Sequence, residues 1–61
     1  MYMNTHKEYN VTWTDTDGDT VTVTVLATSR NDAREAWRRV MRLAGDTLPP
    51  AVGRPTVAVA M

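Results

Sequence analysis

The chain has 61 residues, no cysteine, one histidine and a formal net charge of zero at pH 7. At this length folding buries only about 60% of the surface that the unfolded chain exposes, so residues 1–61 make one small domain, of the kind usually reinforced by a disulfide, a metal or a partner. Without cysteine, disulfides and thiolate zinc sites are excluded, and a lone imidazole, His6, does not make a histidine-based metal site. Tight packing or self-association is left.

No stretch reaches the ~18 consecutive apolar residues that would span a bilayer. The opening Met1-Tyr2-Met3-Asn4-Thr5-His6-Lys7-Glu8 also lacks the apolar centre of a signal peptide. The expectation is a cytoplasmic protein with no membrane partner. Charge is unevenly distributed. Residues 1–29 set Lys7 against Glu8, Asp15, Asp17 and Asp19, a balance of −3. Residues 30–42 set five arginines against Asp32 and Glu35, a balance of +3. Asymmetry of this kind steers association without naming the partner.

Tyr9, Val11 and Trp13 alternate with Asn10, Thr12 and Thr14; then Val21, Val23, Val25 and Ala27 alternate with Thr20, Thr22, Thr24 and Leu26. Period two with β-branched and aromatic residues predicts two half-buried strands. Residues directly opposite in an antiparallel pair share a face, which decides the turn between them. A two-residue Asp17-Gly18 loop would set Trp13 against Thr22 and mix the faces. A three-residue loop, Thr16-Asp17-Gly18, sets Asp15 against Asp19, Trp13 against Val21, Val11 against Val23 and Tyr9 against Val25. Asp at the first position and Gly at the fourth suit a type I turn, with Gly18 left-handed in a bulge.

Ser29, with Asp32 three residues on, resembles a capping box with a shortened acidic partner. Ala33, Ala36, Trp37, Val40, Met41 and Ala44 recur at helical spacing, with Leu43 on the flank, and Gly45 stands where a left-handed residue would end the helix. A helix over roughly 30–44 is predicted. Leu48 to Pro55 reads as a loop, because its prolines remove donors. Thr56-Val57-Ala58-Val59-Ala60 reads as a third strand. The fold class expected is α+β: a two-layer ββαβ unit with a three-stranded sheet and one helix on one face. Strand 3 runs parallel to strand 2, either beside it or, as preferred here, antiparallel beside strand 1 in the order 2-1-3. Trp13 and Trp37 should then meet near the centre.

Asp15, Asp17 and Asp19 match positions 1, 3 and 5 of an EF-hand loop, but Thr20 and Leu26 stand where its glycine and bidentate glutamate belong, on strands instead of helices. A solvated turn is the reading preferred, and no metal is expected. Arg34, Arg38 and Arg42 lie four residues apart on the outer helix face, with Arg39 beside them. Such clusters either stay solvated, pairing with Glu35 and the helix dipole, or recognise carboxylates and phosphates. Thr12, Thr14, Thr20, Thr22 and Thr24 project from the other sheet face, wet or available to a second copy. Residues 20–27 and 56–61 hold no charge and no proline, so both edges of a 2-1-3 sheet would lack the usual protection against pairing. No nucleophile–base pair, phosphate loop or cofactor motif is visible, so neither catalysis nor a cofactor is expected.

The stretch VTWTDTDGDTVTVTVLATSRNDAREAWRRV, Val11 to Val40, resembles small ββα-containing proteins of actinobacterial phages and their hosts, in which a strand, an acid-Gly turn, a second strand and A-x-S-x-x-D/E-A-x-x-A open a helix. Six arginines to one lysine, with no isoleucine or phenylalanine, fit a GC-rich genome. That resemblance implies architecture more than chemistry: proteins of this kind are mostly of unknown function, and some bind a host protein. The expectation is a non-catalytic interaction protein that binds a host protein or forms a homodimer through its strand edges or threonine face. Arg34, Arg38, Arg39 and Arg42 are its candidate partner-binding residues. The alternative is a nucleic-acid-binding dimer that sets the same arginines on phosphates.

Overall fold

Alternating side chains bring the first two elements together. β1 (Lys7–Thr14) and β2 (Thr20–Ala27) form an antiparallel hairpin in which Tyr9 faces Val25, Val11 faces Val23 and Trp13 faces Val21. Asn10 with Thr24, Thr12 with Thr22 and Thr14 with Thr20 occupy the opposite face. The computed structural model describes residues 6–45 and 47–60; most of the opening segment that lacks a signal-peptide centre lies outside them, as does Asp46. The expected bulged turn closes the hairpin. The Asp15 N–H donates to the Asp19 carbonyl at 2.9 Å and the Gly18 N–H to the Asp15 carbonyl at 3.1 Å. Gly18 has φ +87°, a conformation that costs a side-chain-bearing residue about 1–2 kcal/mol.

α1 (Arg30–Leu43) starts at Ser29, whose extended backbone and Oγ, accepting from the Asp32 N–H at 3.1 Å, make an N-cap. The reciprocal half of a capping box is displaced. The Asp32 carboxylate accepts from the Thr28 N–H at 2.9 Å and the Thr28 hydroxyl at 3.2 Å, one residue before the cap. Ala33 and Trp37 are buried against the sheet, with Ala36, Val40 and Met41 packed beside them. Leu43 stays 87% exposed.

The end of the helix differs from the sequence expectation. Among the described residues only Gly18 and Gly53 have positive φ, so Gly45 is not a left-handed cap. The Ala44 carbonyl instead accepts from the N–H groups of Thr47 and Leu48, both at 2.9 Å, and from the Thr47 hydroxyl at 3.1 Å. A threonine three residues on supplies the donors that a left-handed glycine would have brought round.

β3 (Val52–Val59) lies antiparallel to β1 on the side away from β2, giving the order β2-β1-β3. It starts at Val52 instead of Thr56. Thr12 faces Thr56 while Thr14 faces Val52, so Gly53, Arg54 and Pro55 stand opposite Trp13 in a bulge. Gly53 takes φ +81° there, and Pro55, which has no N–H, sits where the ladder is interrupted. The features that read as loop punctuation are those a bulged edge strand needs.

Trp13 and Trp37 meet at the centre, ring centroids 5.6 Å apart and tilted by 57°. Val11, Ala27 and Ala33 are wholly buried around them. The two indoles differ in one respect. Trp13 donates its Nε1–H to the Pro49 carbonyl at 3.0 Å, whereas the buried Nε1–H of Trp37 has no acceptor among the described residues. Among those residues no helix is long and apolar enough to cross a membrane.

Candidate functional site

The arginine row on α1 is divided by its surroundings. Arg34 and Arg38, one helical turn apart, flank Trp37 on the side that faces the β3 bulge, and Arg54 reaches the same place from the bulge. With Gly53 and Pro55 they line a groove of about 380 Å³. Two local devices put Arg54 there: the left-handed Gly53 and the extra residues opposite Trp13, which re-aim the strand. Of the three, only Arg38 makes an ion pair, with Glu35 at 3.8 Å on the same helix; Arg34 and Arg54 make none among the described residues. Both partners of that pair are more than half exposed, so it neutralises Arg38 weakly. Three arginines thus line one groove with a single weak ion pair among them, and guanidinium forks recognise planar or tetrahedral anions.

Arg39 and Arg42 do not line this groove. The charge of Arg39 reaches Asp32 on the other flank of the helix. Two hydrogen bonds from Thr28, chiefly its backbone N–H, lower the Asp32 carboxyl pKa below the ordinary 3.8 against some desolvation, with smaller contributions from the charges of Arg39 and His6. The expected four-arginine face therefore separates into a groove-lining pair and two arginines outside it, and the groove gains Arg54. Nothing in the sequence marks Arg54, a lone charge between Gly53 and Pro55 in a stretch that reads as loop.

The carboxylates of Asp15, Asp17 and Asp19 lie within 4.8 Å of one another. Their arrangement is explained by the turn. Asp15 Oδ1 accepts from the N–H groups of Asp17 and Asp19, both at 2.9 Å, which holds the loop closed. Ser29 is likewise occupied as the helix cap.

On the face away from α1, Thr14, Thr20, Thr22, Thr24 and Thr56 are exposed. Cross-strand bonds order part of this surface: Thr12 Oγ1 to Thr22 Oγ1 at 2.9 Å, and Thr24 Oγ1 donating to Asn10 Oδ1 at 2.8 Å. The two sheet edges are not equivalent. Arg54, Pro55 and the bulge interrupt the first half of β3, which corrects the expectation that both edges lack protection. β2 carries no charge, proline or bulge along Thr20–Ala27, and no described strand pairs with its outer side. Leu26 on this strand is 64% exposed. Comparison of the chain with protein-family profiles, with curated proteins and with solved structures finds no match.

Proposed function

We propose that the chain is a small, non-catalytic interaction module of the cytoplasm, phage-encoded and acting on a host protein or on a second copy of itself. The outer edge of β2 carries this reading. An unbulged, uncharged eight-residue edge offers a row of backbone donors and acceptors to an added strand, and its Val/Thr alternation favours a partner strand with the matching apolar face. A domain this small also gains from covering more surface than its own core can.

The test compares the protein with Thr22→Lys, which places a charge on the exposed centre of that edge. Solution mass across a concentration series and cross-linked capture of partners from a bacterial lysate are measured for both. Pairing or capture that the lysine abolishes, with the circular dichroism unchanged, supports the reading. A monomer that captures nothing, or capture indifferent to the lysine, defeats it. The clustering of Arg34, Arg38 and Arg54 favours a second reading, a nucleic-acid-binding dimer. That reading requires duplex DNA or RNA binding that weakens steeply with salt.

A further inference from the structure

We infer that the groove between α1 and the β3 bulge is a docking site for an acidic, extended peptide segment carrying Asp or Glu at alternate positions. This rests on the interaction-module reading and names the chemistry of one contact. Arg34 and Arg38 are four residues apart, so their attachment points are separated by about 6 Å along the helix. Side chains at i and i+2 of an extended chain are separated by about 6.6–6.8 Å, which lets two successive carboxylates each meet a guanidinium. Arg54 approaches from the other wall, and half-buried Pro55, with the small part of Trp37 that stays exposed, supplies an apolar patch for the methylene and backbone atoms between the charges.

Two alternatives fit less well. A single phosphate is far smaller than about 380 Å³, and the site lies beside the middle of α1, away from the helix N-terminus at Ser29 where backbone N–H groups would cradle one. A nucleic-acid backbone would extend beyond the groove, and a chain of zero net charge with Asp15, Asp17 and Asp19 clustered at one end gives it little attraction. A short segment stays within the groove, where the charged lining residues are the three arginines.

The experiment titrates the whole protein with an end-capped Asp-Thr alternating octapeptide, following the indole N–H resonances of both tryptophans. The controls are the Asn-Thr octapeptide, inorganic phosphate and a short DNA duplex. Saturable binding of the acidic peptide is expected, weakening about tenfold or more between low and high salt as screening grows. Arg34→Ala and Arg54→Ala should each weaken it about fivefold or more, whereas Arg39→Ala, which removes the same charge outside the groove, should change it less than about twofold. Equal losses in all three variants would show general charge attraction and overturn the site. Equal binding of the Asn-Thr peptide would overturn the carboxylate assignment and leave strand addition standing. Competition by phosphate or duplex at comparable concentration, or no binding of the acidic peptide, would also overturn it, while the Thr22→Lys comparison decides the broader reading separately.

Discussion

The hairpin of β1 and β2 and the segment that joins α1 to β3 are built on opposite principles. In the hairpin each turn residue acts on its own neighbours. Asp15 caps its own loop, Gly18 supplies the left-handed step, and the pleat sorts valines from threonines. Past the local turn that Thr47 and Leu48 close on Ala44, order between Pro49 and Pro55 depends on distant groups, with the Trp13 indole holding the Pro49 carbonyl across 36 positions of chain. Local chemistry fixes a structure that can be read from sequence order. Tertiary chemistry fixes one that becomes legible only when its partners are known.

The largest expected effect falls on the core that both regions share. Trp37→Ala removes one of two central indoles and should cost about 3–5 kcal/mol, against a total of about 3–9 kcal/mol for a domain of 61 residues. Urea melts should show it largely unfolded or close to it, and hairpin and connecting segment should be lost together. Trp37→Phe keeps a ring against Trp13 while deleting the buried N–H that has no acceptor among the described residues. The desolvation cost of an orphaned donor, about 1–3 kcal/mol, is recovered and offsets much of the lost contact. A Phe variant as damaged as the Ala variant would mean that the indole N–H has a partner after all.

Trp13→Phe separates the two regions. It deletes the hydrogen bond to Pro49 and trims a little core volume, a loss of about 1–2 kcal/mol. Amide hydrogen exchange should quicken over residues 47–54 while Tyr9, Val11 and Val23 keep most of their protection. Uniform loss of protection would break the contrast, because it would show the connecting segment to be an equal member of one cooperative unit.

The legible and illegible parts of the fold follow the same division. The hairpin register, the bulged turn and the Trp13–Trp37 contact are readable because period two, an Asp…Gly turn and helical spacing each have one economical solution, whereas the order β2-β1-β3 is the preferred one of two placements of strand 3 that the sequence leaves open. The start of β3 is not. Gly53 and Pro55 are breakers when read locally, and only the pairing of Thr14 with Val52 makes them a bulge. Arg54 is hidden with them, and so is the groove. Gly45, placed after a helical run, suggests a positive φ that Thr47 and Leu48 make unnecessary by donating to Ala44. The arginine row looks like one face because periodicity places residues around a helix but cannot say which flank meets β3.

Gly18→Ala and Gly53→Ala sharpen the contrast at matched backbone cost. Neither position has an atom within 4 Å of an added Cβ, so the penalty in each is conformational, about 1–2 kcal/mol. At Gly18 the turn has no alternative, and the loss should appear in global stability. At Gly53 the bulge can relax, so the melting curve should shift less while Arg54 moves and acidic-peptide affinity falls. Equal global losses with unchanged peptide affinity would show that the bulge is as rigid as the turn.

The smallest effect is the most local one, and it is read by pH. Asp32 has a folded pKa below the ordinary 3.8, chiefly because the Thr28 N–H donates to its carboxylate. A depressed carboxyl contributes its full stability above the unfolded pKa and loses it as pH falls through the folded value. The wild type should therefore lose an increment of stability on acidification below about pH 4, which Asp32→Asn does not share. The two proteins should differ most near neutral pH and converge once Asp32 is protonated. Because the amide oxygen of the variant would still accept a hydrogen bond, the difference isolates the charge from the cap. Parallel acid-unfolding curves, offset by a constant amount at every pH, would show that the carboxylate's ionisation contributes nothing and that Thr28 needs only an oxygen.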